Sequence, residues 1–523
     1  MSRRLLLAYV SVAAVAATSF MVFAPVSAAP GTTCGLTSPA FCDTFNAGPS
    51  ALRGRAGDLN PAAWSAARLA PQDISSFGPV ANPVTTAPVP ACRANLPVSS
   101  VFPPNDTLIC DATSTRSQQL MTAVVAQNYG MNSYLIKQPF DFAGRTGKIV
   151  FDVDAVVVNW LGGFFSIDIT EDPMPAPTFR EFGNYEHGAF PRNALIIRWS
   201  DNCLTQGTAI TLGKVMVYSN YQGTIIEPSF VAGPFTTPGC VTTRPQFLNH
   251  FEIQLSQNRL EIYGSDYSPD DGQTFPNFHR LYSATLNLPF TRGYVHVAAR
   301  NHASKKYGYG PDQIYRWDNI GFDGPVINNS RTYEIPDNNT MGSYQGAQIM
   351  NLGYQLLDGT TGKPAGIYNP TSNVGPLQFQ GVDVAGASGA SLTMNAYFNA
   401  MTHTATTSWG VRYRFNGGAW RDRFLTAAEV QVISAVDADG NIGLLVDVPP
   451  GDLRNGTNTL DMVPIGAPMD ILPTVANINL VVRGGASTTP PSAPTNLRII
   501  GGLLLWPPAL MALDSGTGLG AMP

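Results

Sequence analysis

A chain of 523 residues, 44% hydrophobic and only 13% charged, carries enough apolar material for two or three packed domains and too little charge to be disordered. The formal net charge of −5, with no basic stripe anywhere, excludes a nucleic-acid partner and suits an uncharged or weakly charged one. With 50 Gly, 42 Pro and 10% aromatics, the composition favours short strands and tight turns, and no sustained helical periodicity runs beyond the N-terminus.

At the start, Arg3 and Arg4 precede an apolar run from Leu5 to Phe23, and Val26-Ser27-Ala28 follows as a small-residue cleavage pattern. Residues 1–28 therefore read as a secretory signal peptide, with an uncleaved anchor as the alternative for a run of that length. The expected location is secreted, extracellular or cell-surface. Cys34, Cys42, Cys92, Cys110, Cys203 and Cys240 fit that oxidising setting. Pairing sequence neighbours, Cys34–Cys42, Cys92–Cys110 and Cys203–Cys240, is the simplest of the connectivities that six cysteines allow. No Cys-x-x-Cys occurs, which argues against redox catalysis and structural zinc.

Residues 31–325 alternate as strands do. In "GKIVFDVDAVVV", Ile149, Phe151 and Val153 share one face and Asp152 and Asp154 the other. "FFSIDITEDP" sets Phe165, Ile167 and Ile169 against Ser166, Asp168 and Thr170, and "ALIIRWSD" sets Leu195, Ile197 and Trp199 against Ile196 and Arg198. Phe251, Ile253 and Leu255 oppose His250, Glu252 and Gln254, with a turn at Ser256-Gln257-Asn258. "YVHVAARNH" sets Tyr294, His296, Ala298 and Arg300 against Val295, Val297 and Ala299. Antiparallel strands with one apolar face bury it against a second sheet, so the expectation is a large all-β antiparallel sandwich.

After "INNSRTYEIPDNNT", a linker or first edge strand, residues 328–486 form a second, smaller β-sandwich pattern, with hairpin turns at Asn416-Gly417-Gly418 and Asp439-Gly440. "PSAPTNLRI" resembles the first strand of a fibronectin type III domain, but residues 487–523 leave a linker and a short tail, too little for a third sandwich.

Three stretches carry a family resemblance: "CDTFNAG" with "LNPAAWSAARL" and its Trp64, "QPFDFAGRTGKIVFDVD", and "SIDITE". On these the first domain resembles the concanavalin A-like lectin and glucanase superfamily, laminarinase-type family 16 glycoside hydrolases above all. The resemblance implies a concanavalin-like jelly roll and, carried over by position, a nucleophile at Ser166, a central acid at Asp168 and an acid/base at Glu171. A retaining hydrolase needs two carboxylates across the scissile bond, and a serine cannot form the glycosyl-ester intermediate. Period two also turns Glu171 away from Asp168 unless a bulge re-aims it. Asp168 and Glu171 are thus the catalytic candidates of a degenerate motif.

If the polar strand faces line one cleft, it holds Ser166, Asp168, Arg198, His250, Glu252, Gln254, His296 and Arg300. Trp160, Tyr185, Tyr263, Tyr307, Tyr309 and Trp317 would then stack on pyranose rings. "RNHASKKYGYG" adds His302, Lys305 and Lys306 as a loop for a glycan or an acidic uronate chain. His/Tyr/Arg sets also serve polysaccharide lyases. Trp409, Tyr413 and Trp420 are the stacking candidates of the second domain, against a core role. The scattered histidines make no transition-metal pattern, whereas a structural calcium is compatible with the fold. "GTTGKP" breaks the phosphate-loop pattern at Pro364, which excludes nucleotide chemistry, and no cofactor is expected. The expectation is a monomeric, exported carbohydrate-binding protein acting on extracellular or cell-wall polysaccharide. The alternatives are a glycoside hydrolase or lyase with non-standard residues, and a structural envelope or adhesion protein.

Overall fold

The computed structural model describes residues 34–50, 56, 58–69, 107–111, 118–124, 131–157, 164–175, 177, 190–202, 208–227, 248–268, 275, 277–300, 313–335, 353–355, 377–398, 404–435, 441–466 and 474–484. The signal peptide, the C-terminal tail and the Asp439-Gly440 turn lie outside the described residues. Among the described residues no helix is long and apolar enough to cross a membrane.

Among the described residues the strands form four antiparallel sheets. The first, 8-stranded, runs in the order His279–Thr285, Arg259–Ser268, Leu248–Ser256, Gly147–Val157, Gln313–Asp323, Gln118–Val124 and Thr107–Asp111, and Pro39–Asp43 also pairs with Gln313–Asp323. The second, also 8-stranded, runs Gln222–Glu227, Thr208–Ser219, Ala194–Asn202, Phe164–Thr170, Arg292–Arg300, Met131–Ile136 and Trp64–Leu69, with Phe140–Asp141 added to Arg292–Arg300. These two sheets form the larger sandwich. The third, 5-stranded, is Ser330–Glu334, Thr474–Arg483, Gly389–Tyr397 and Asn441–Val448, with Gly353–Gln355 on Thr474–Arg483. The fourth, 4-stranded, is Leu377–Val382, Gly456–Ile465, Gly410–Phe415 and Arg421–Phe424, and it closes the smaller sandwich.

The apolar strand faces meet as their period requires. Phe165, Ile167 and Ile169 join Leu195, Ile197, Trp199, Phe151, Phe251, Ile253 and Leu255 in one core between the first two sheets. Its centre is aromatic: Phe165 stacks on Trp199 at 5.3 Å and Phe151 on Phe251 at 5.2 Å, with Trp317 edge-on to Phe165. Two of the indoles in that core have partners: Trp317 Nε1 donates to Thr122 Oγ1 and Trp64 Nε1 to Asp43 Oδ2. Truncating Phe165 there removes about 3–5 kcal/mol of packing. Cys34 and Cys42 are disulfide-bonded; the other four cysteines have no described side chains, so their pairing lies outside the described residues.

Among the described residues one α-helix departs from the all-strand expectation. Ala427–Ile433 forms a short helix whose N-cap Thr426 accepts from the Glu429 backbone, while Glu429 accepts from the Thr426 backbone. The Thr-x-x-Glu capping box is written in the sequence, but the helix is too short to show a period of its own.

The two sandwiches dock broadly. Phe190, Ala194, Ile196, Met216, Tyr218 and Tyr221 of the larger one belong to the same apolar cluster as Leu392, Met394, Ile442 and Leu444 of the smaller. Thr393 Oγ1 donates to Pro173 O at 2.9 Å and Asn395 Nδ2 to Pro175 O at 2.8 Å. Gly443 N donates to Phe190 O, and the missing side chain of Gly443 lets Met174 approach. The turn between Thr208–Ser219 and Gln222–Glu227 has left-handed backbone at Asn220 (φ 47°) and Tyr221 (φ 68°). That is the hairpin geometry preferred by two-residue loops, at a cost of about 1–2 kcal/mol for a residue like Tyr. The turn is held by Tyr221 N to Arg192 O and by Asn193 Oδ1 accepting from Asn220 N.

Candidate functional site

The sequence-predicted residues do not share one cleft. Ser166, Asp168, Arg198 and His296 lie on the outward face of the second sheet, in register: Asp168 opposite Ile196 and His296, Ser166 opposite Arg198 and Ala298. His250, Glu252 and Gln254 lie on the outward face of the first sheet, across the core, with Glu252 opposite Tyr263 and Gln254 opposite Glu261. Trp317 is fully buried between the sheets, edge-on to Phe165. Trp160, His302, Tyr307 and Tyr309, with Tyr185, Lys305 and Lys306, lie outside the described residues, as does the side chain of Arg300. The single-cleft expectation fails because strand alternation tells which residues share a face of one strand, not which strands share a sheet.

The Asp168 face is closed. Ser166, Asp168, Thr170 and His296 are 0% exposed. The third sheet turns a polar face of its own, Ser391, Thr393, Asn395 and Asn479, all buried, toward it. At one edge Asn479 Nδ2 reaches Ser65 Oγ at 3.5 Å, and at the other Tyr221 Oη lies 3.2 Å from Gly443 O. The strands bearing Asp168 and His296 lie between those edges. Thr170 Oγ1 donates to Asp172 O at 2.6 Å, so His296 Nε2, 2.8 Å away, donates to Thr170, and Nδ1 lies 3.1 Å from Ser133 Oγ. His296 is therefore an interior imidazole with a hydroxyl against each ring nitrogen. Among the described residues this face is buried.

Glu171, one residue beyond the strand, leaves that face. Its Oε2 accepts from Arg192 Nη2 and Asn193 Nδ2, each at 2.7 Å. It lines a groove of about 680 Å³ between the sandwiches, together with Asp172, Phe290, Arg292, Tyr294, Ser330 and Arg483. Burial pushes the Asp172 carboxyl above its usual range, with the Glu171 charge adding and Arg192 offsetting in part. Burial likewise pushes the Tyr294 phenol up, so it stays protonated as a hydrogen-bonding group. The catalytic candidates are thus separated: Asp168 is sealed and Glu171 is clamped by a cation.

The accessible site is a row of rings on the outward face of the first sheet. Asp152 Oδ1 bonds His250 Nδ1 at 2.7 Å, and Asn319 Nδ2 donates to Asp152 Oδ2 at 2.8 Å, which fixes the imidazole. Phe275 stacks on His250 at 3.9 Å, Phe278 follows Phe275 at 6.1 Å, and Tyr263 stacks on Phe278 at 5.7 Å. Phe278 is 40% exposed. Charged and amide groups edge the row. Glu252 takes Lys148 Nζ at 2.8 Å and Gln254 Nε2 at 2.7 Å. Glu261 takes Arg259, Arg280 and the Tyr263 hydroxyl at 2.6, 3.1 and 3.2 Å. Those donors hold the Glu261 carboxyl below its usual range, the Arg259 hydrogen bond most of all. Phe275 and Phe278 carry no sequence signal, since they precede a strand instead of alternating within one. In the second sandwich Trp409 and Tyr413 are core, and Trp420 is exposed with Arg414 over its ring at 4.5 Å. Among the described residues no group of three or more His, Cys, Asp or Glu is placed to hold a metal ion.

No family model matches the chain. No curated protein matches it either. Among solved structures it is similar to the exoplasmic/lumenal domain of VIP36 in a Ca2+/Man3GlcNAc-bound form, at 14% identity over 43% of this chain and 86% of that one, with a TM-score of 0.27. It is similar also to peanut lectin, at 10% identity, 43% and 90% coverage and a TM-score of 0.27. For alginate lyase Aly36B the values are 10% identity, 40% and 82% coverage and a TM-score of 0.24. At these identities and TM-scores the likenesses carry no argument about what this chain does.

Proposed function

We propose that the chain is an exported carbohydrate-binding protein that holds extracellular or cell-wall polysaccharide without cutting it. The observation that carries this reading is the row His250–Phe275–Phe278–Tyr263, partly exposed and edged by Glu252, Gln254, Glu261, Lys148 and Arg280. Flat rings take the apolar face of a pyranose, and the surrounding carboxylate, amide and guanidinium groups take its hydroxyls. The charges of the described residues along the row are already paired, Lys148 with Glu252 and Arg259 and Arg280 with Glu261, which suits an uncharged sugar better than an ion.

Cleavage through the "SIDITE" strand is disfavoured by position. Asp168 is interior, Glu171 is held by Arg192, and Ser166 has no described hydrogen-bond partner on its hydroxyl, so no base activates it. A glycan array of the full chain, paired with a reducing-end and unsaturated-product assay on the polysaccharides it retains, tests both halves. Retention without product is the expected result. Product release lost in Glu171→Gln would overturn the non-catalytic half, and retention of no glycan would overturn the binding half.

A further inference from the structure

We propose that the groove between the two sandwiches is a second, separate binding site, for a neutral oligosaccharide, which the two sandwiches form together. Its walls come from both: Glu171, Asp172, Arg292 and Tyr294 from the larger, Ser330 and Arg483 from the smaller. Its volume, about 680 Å³, falls within the range of small-molecule sites.

The polar groups are arranged for hydroxyls. Both donors to Glu171 converge on Oε2, which leaves Oε1 to accept from a ligand. Asp172 Oδ2 takes Arg192 Nε and Nη2 at 3.2 and 2.8 Å. Asp172 Oδ1 instead faces Arg483 Nη2 at 4.0 Å, beyond hydrogen-bonding distance, and no described residue accepts a hydrogen bond from that guanidinium. A carboxylate and a guanidinium held that far apart are bridged by a group that donates to one and accepts from the other. A sugar hydroxyl is such a group. Tyr294 Oη and Ser330 Oγ, 3.3 Å apart, add a second pair of hydroxyl partners, and Phe290 with Pro139, Pro173 and Pro289 supplies apolar wall.

Charge sets the ligand class. Arg192 is committed to Glu171 and Asp172, and Arg292 to Asp141 through Nε at 3.0 Å and Nη2 at 2.6 Å. With Arg483 the guanidiniums match the three carboxylates one for one. An anionic sugar would meet Glu171 and Asp172, and a cation would meet Arg292 and Arg483. A neutral saccharide meets neither cost.

The test is calorimetric titration of the full chain with neutral glucose, mannose, galactose and xylose oligomers and with oligouronates of equal length. It uses a Tyr263→Ala/Phe278→Ala background so that the ring row contributes nothing. We expect one neutral oligomer to bind that background, and Arg483→Ala to weaken it at least tenfold. Ser388→Trp, at an exposed position on the groove wall, should block it likewise, with an unchanged thermal midpoint as the folding control. Binding of no neutral oligomer, binding of uronates at equal affinity, or indifference to both substitutions would overturn the proposal. Failure of the ring row alone leaves wild type and background equal, which separates the two sites.

Discussion

Tyr221 Oη donates to Glu429 Oε1 at 2.8 Å, joining a hairpin tip of the larger sandwich to the short helix of the smaller. Both side chains are buried, and Glu429 also takes Arg423 at 3.0 and 2.6 Å. Burial, and then Glu429 itself, push the Tyr221 phenol far above its ordinary range, so it is a permanent donor. The bond belongs to the interface that covers Asp168, so the docking of the sandwiches is also what closes the motif face.

Tyr221→Phe should therefore lower stability by about 1–2 kcal/mol, the cost of removing one partner from a buried carboxylate. Urea denaturation followed by fluorescence checks it. Because one apolar cluster spans both sandwiches, wild type should unfold in a single transition. Two separate transitions in wild type would contradict the docking.

Asp168→Asn should leave glycan affinity within about twofold while destabilising the chain by about 1–3 kcal/mol, as expected for a buried polar position. Parallel binding isotherms and denaturation curves decide it. A binding defect without a stability defect would mean that the face opens.

The Asp172 carboxyl sits above its ordinary value of 3.8 because of burial. The folded chain then holds its proton longer than the unfolded chain as pH rises. Stability from this group should fall from the ordinary pKa up to the folded one and stay level above it. Asp172→Asn should flatten that slope in denaturation midpoints measured across the acid range. A slope of the opposite sign, or one unchanged by the substitution, would show that Arg192 dominates the site.

Cys34 and Cys42 lie eight residues apart in sequence, and closing that loop is worth about 2.5 kcal/mol in the chain-entropy account. Cys42→Ser in the full chain should lower the unfolding free energy by about that amount without altering glycan binding. An unchanged midpoint would place the end of strand Pro39–Asp43 outside the cooperative core.

Much of the sandwich is legible from alternation alone. Phe165, Ile167 and Ile169, and Phe251, Ile253 and Leu255, face the core that period two assigns them. The site is legible only in part, for two physical reasons. Strand Phe164–Thr170 pairs with Arg292–Arg300, far along the chain, and no local pattern encodes that pairing, so His250 and Asp168 looked like neighbours. A polar face also reads as solvated, yet Ser166, Asp168 and Thr170 are covered by a sheet whose own face is Ser391, Thr393 and Asn395. Two polar faces closing on each other leave no hydrophobic mark in either strand. His250, Glu252 and Gln254 were legible as one face because they share one strand, whereas Phe278 lies outside any periodic run.

The central claim, that the ring row holds sugar, is tested most directly by the affinity of the full chain for its retained polysaccharide before and after Phe278→Ala and Tyr263→Ala. Each substitution should weaken binding at the row about tenfold, roughly 1.4 kcal/mol, with thermal midpoints little changed because Phe278 is 40% exposed and Tyr263 half-buried. Affinity unchanged in the double variant would contradict the account.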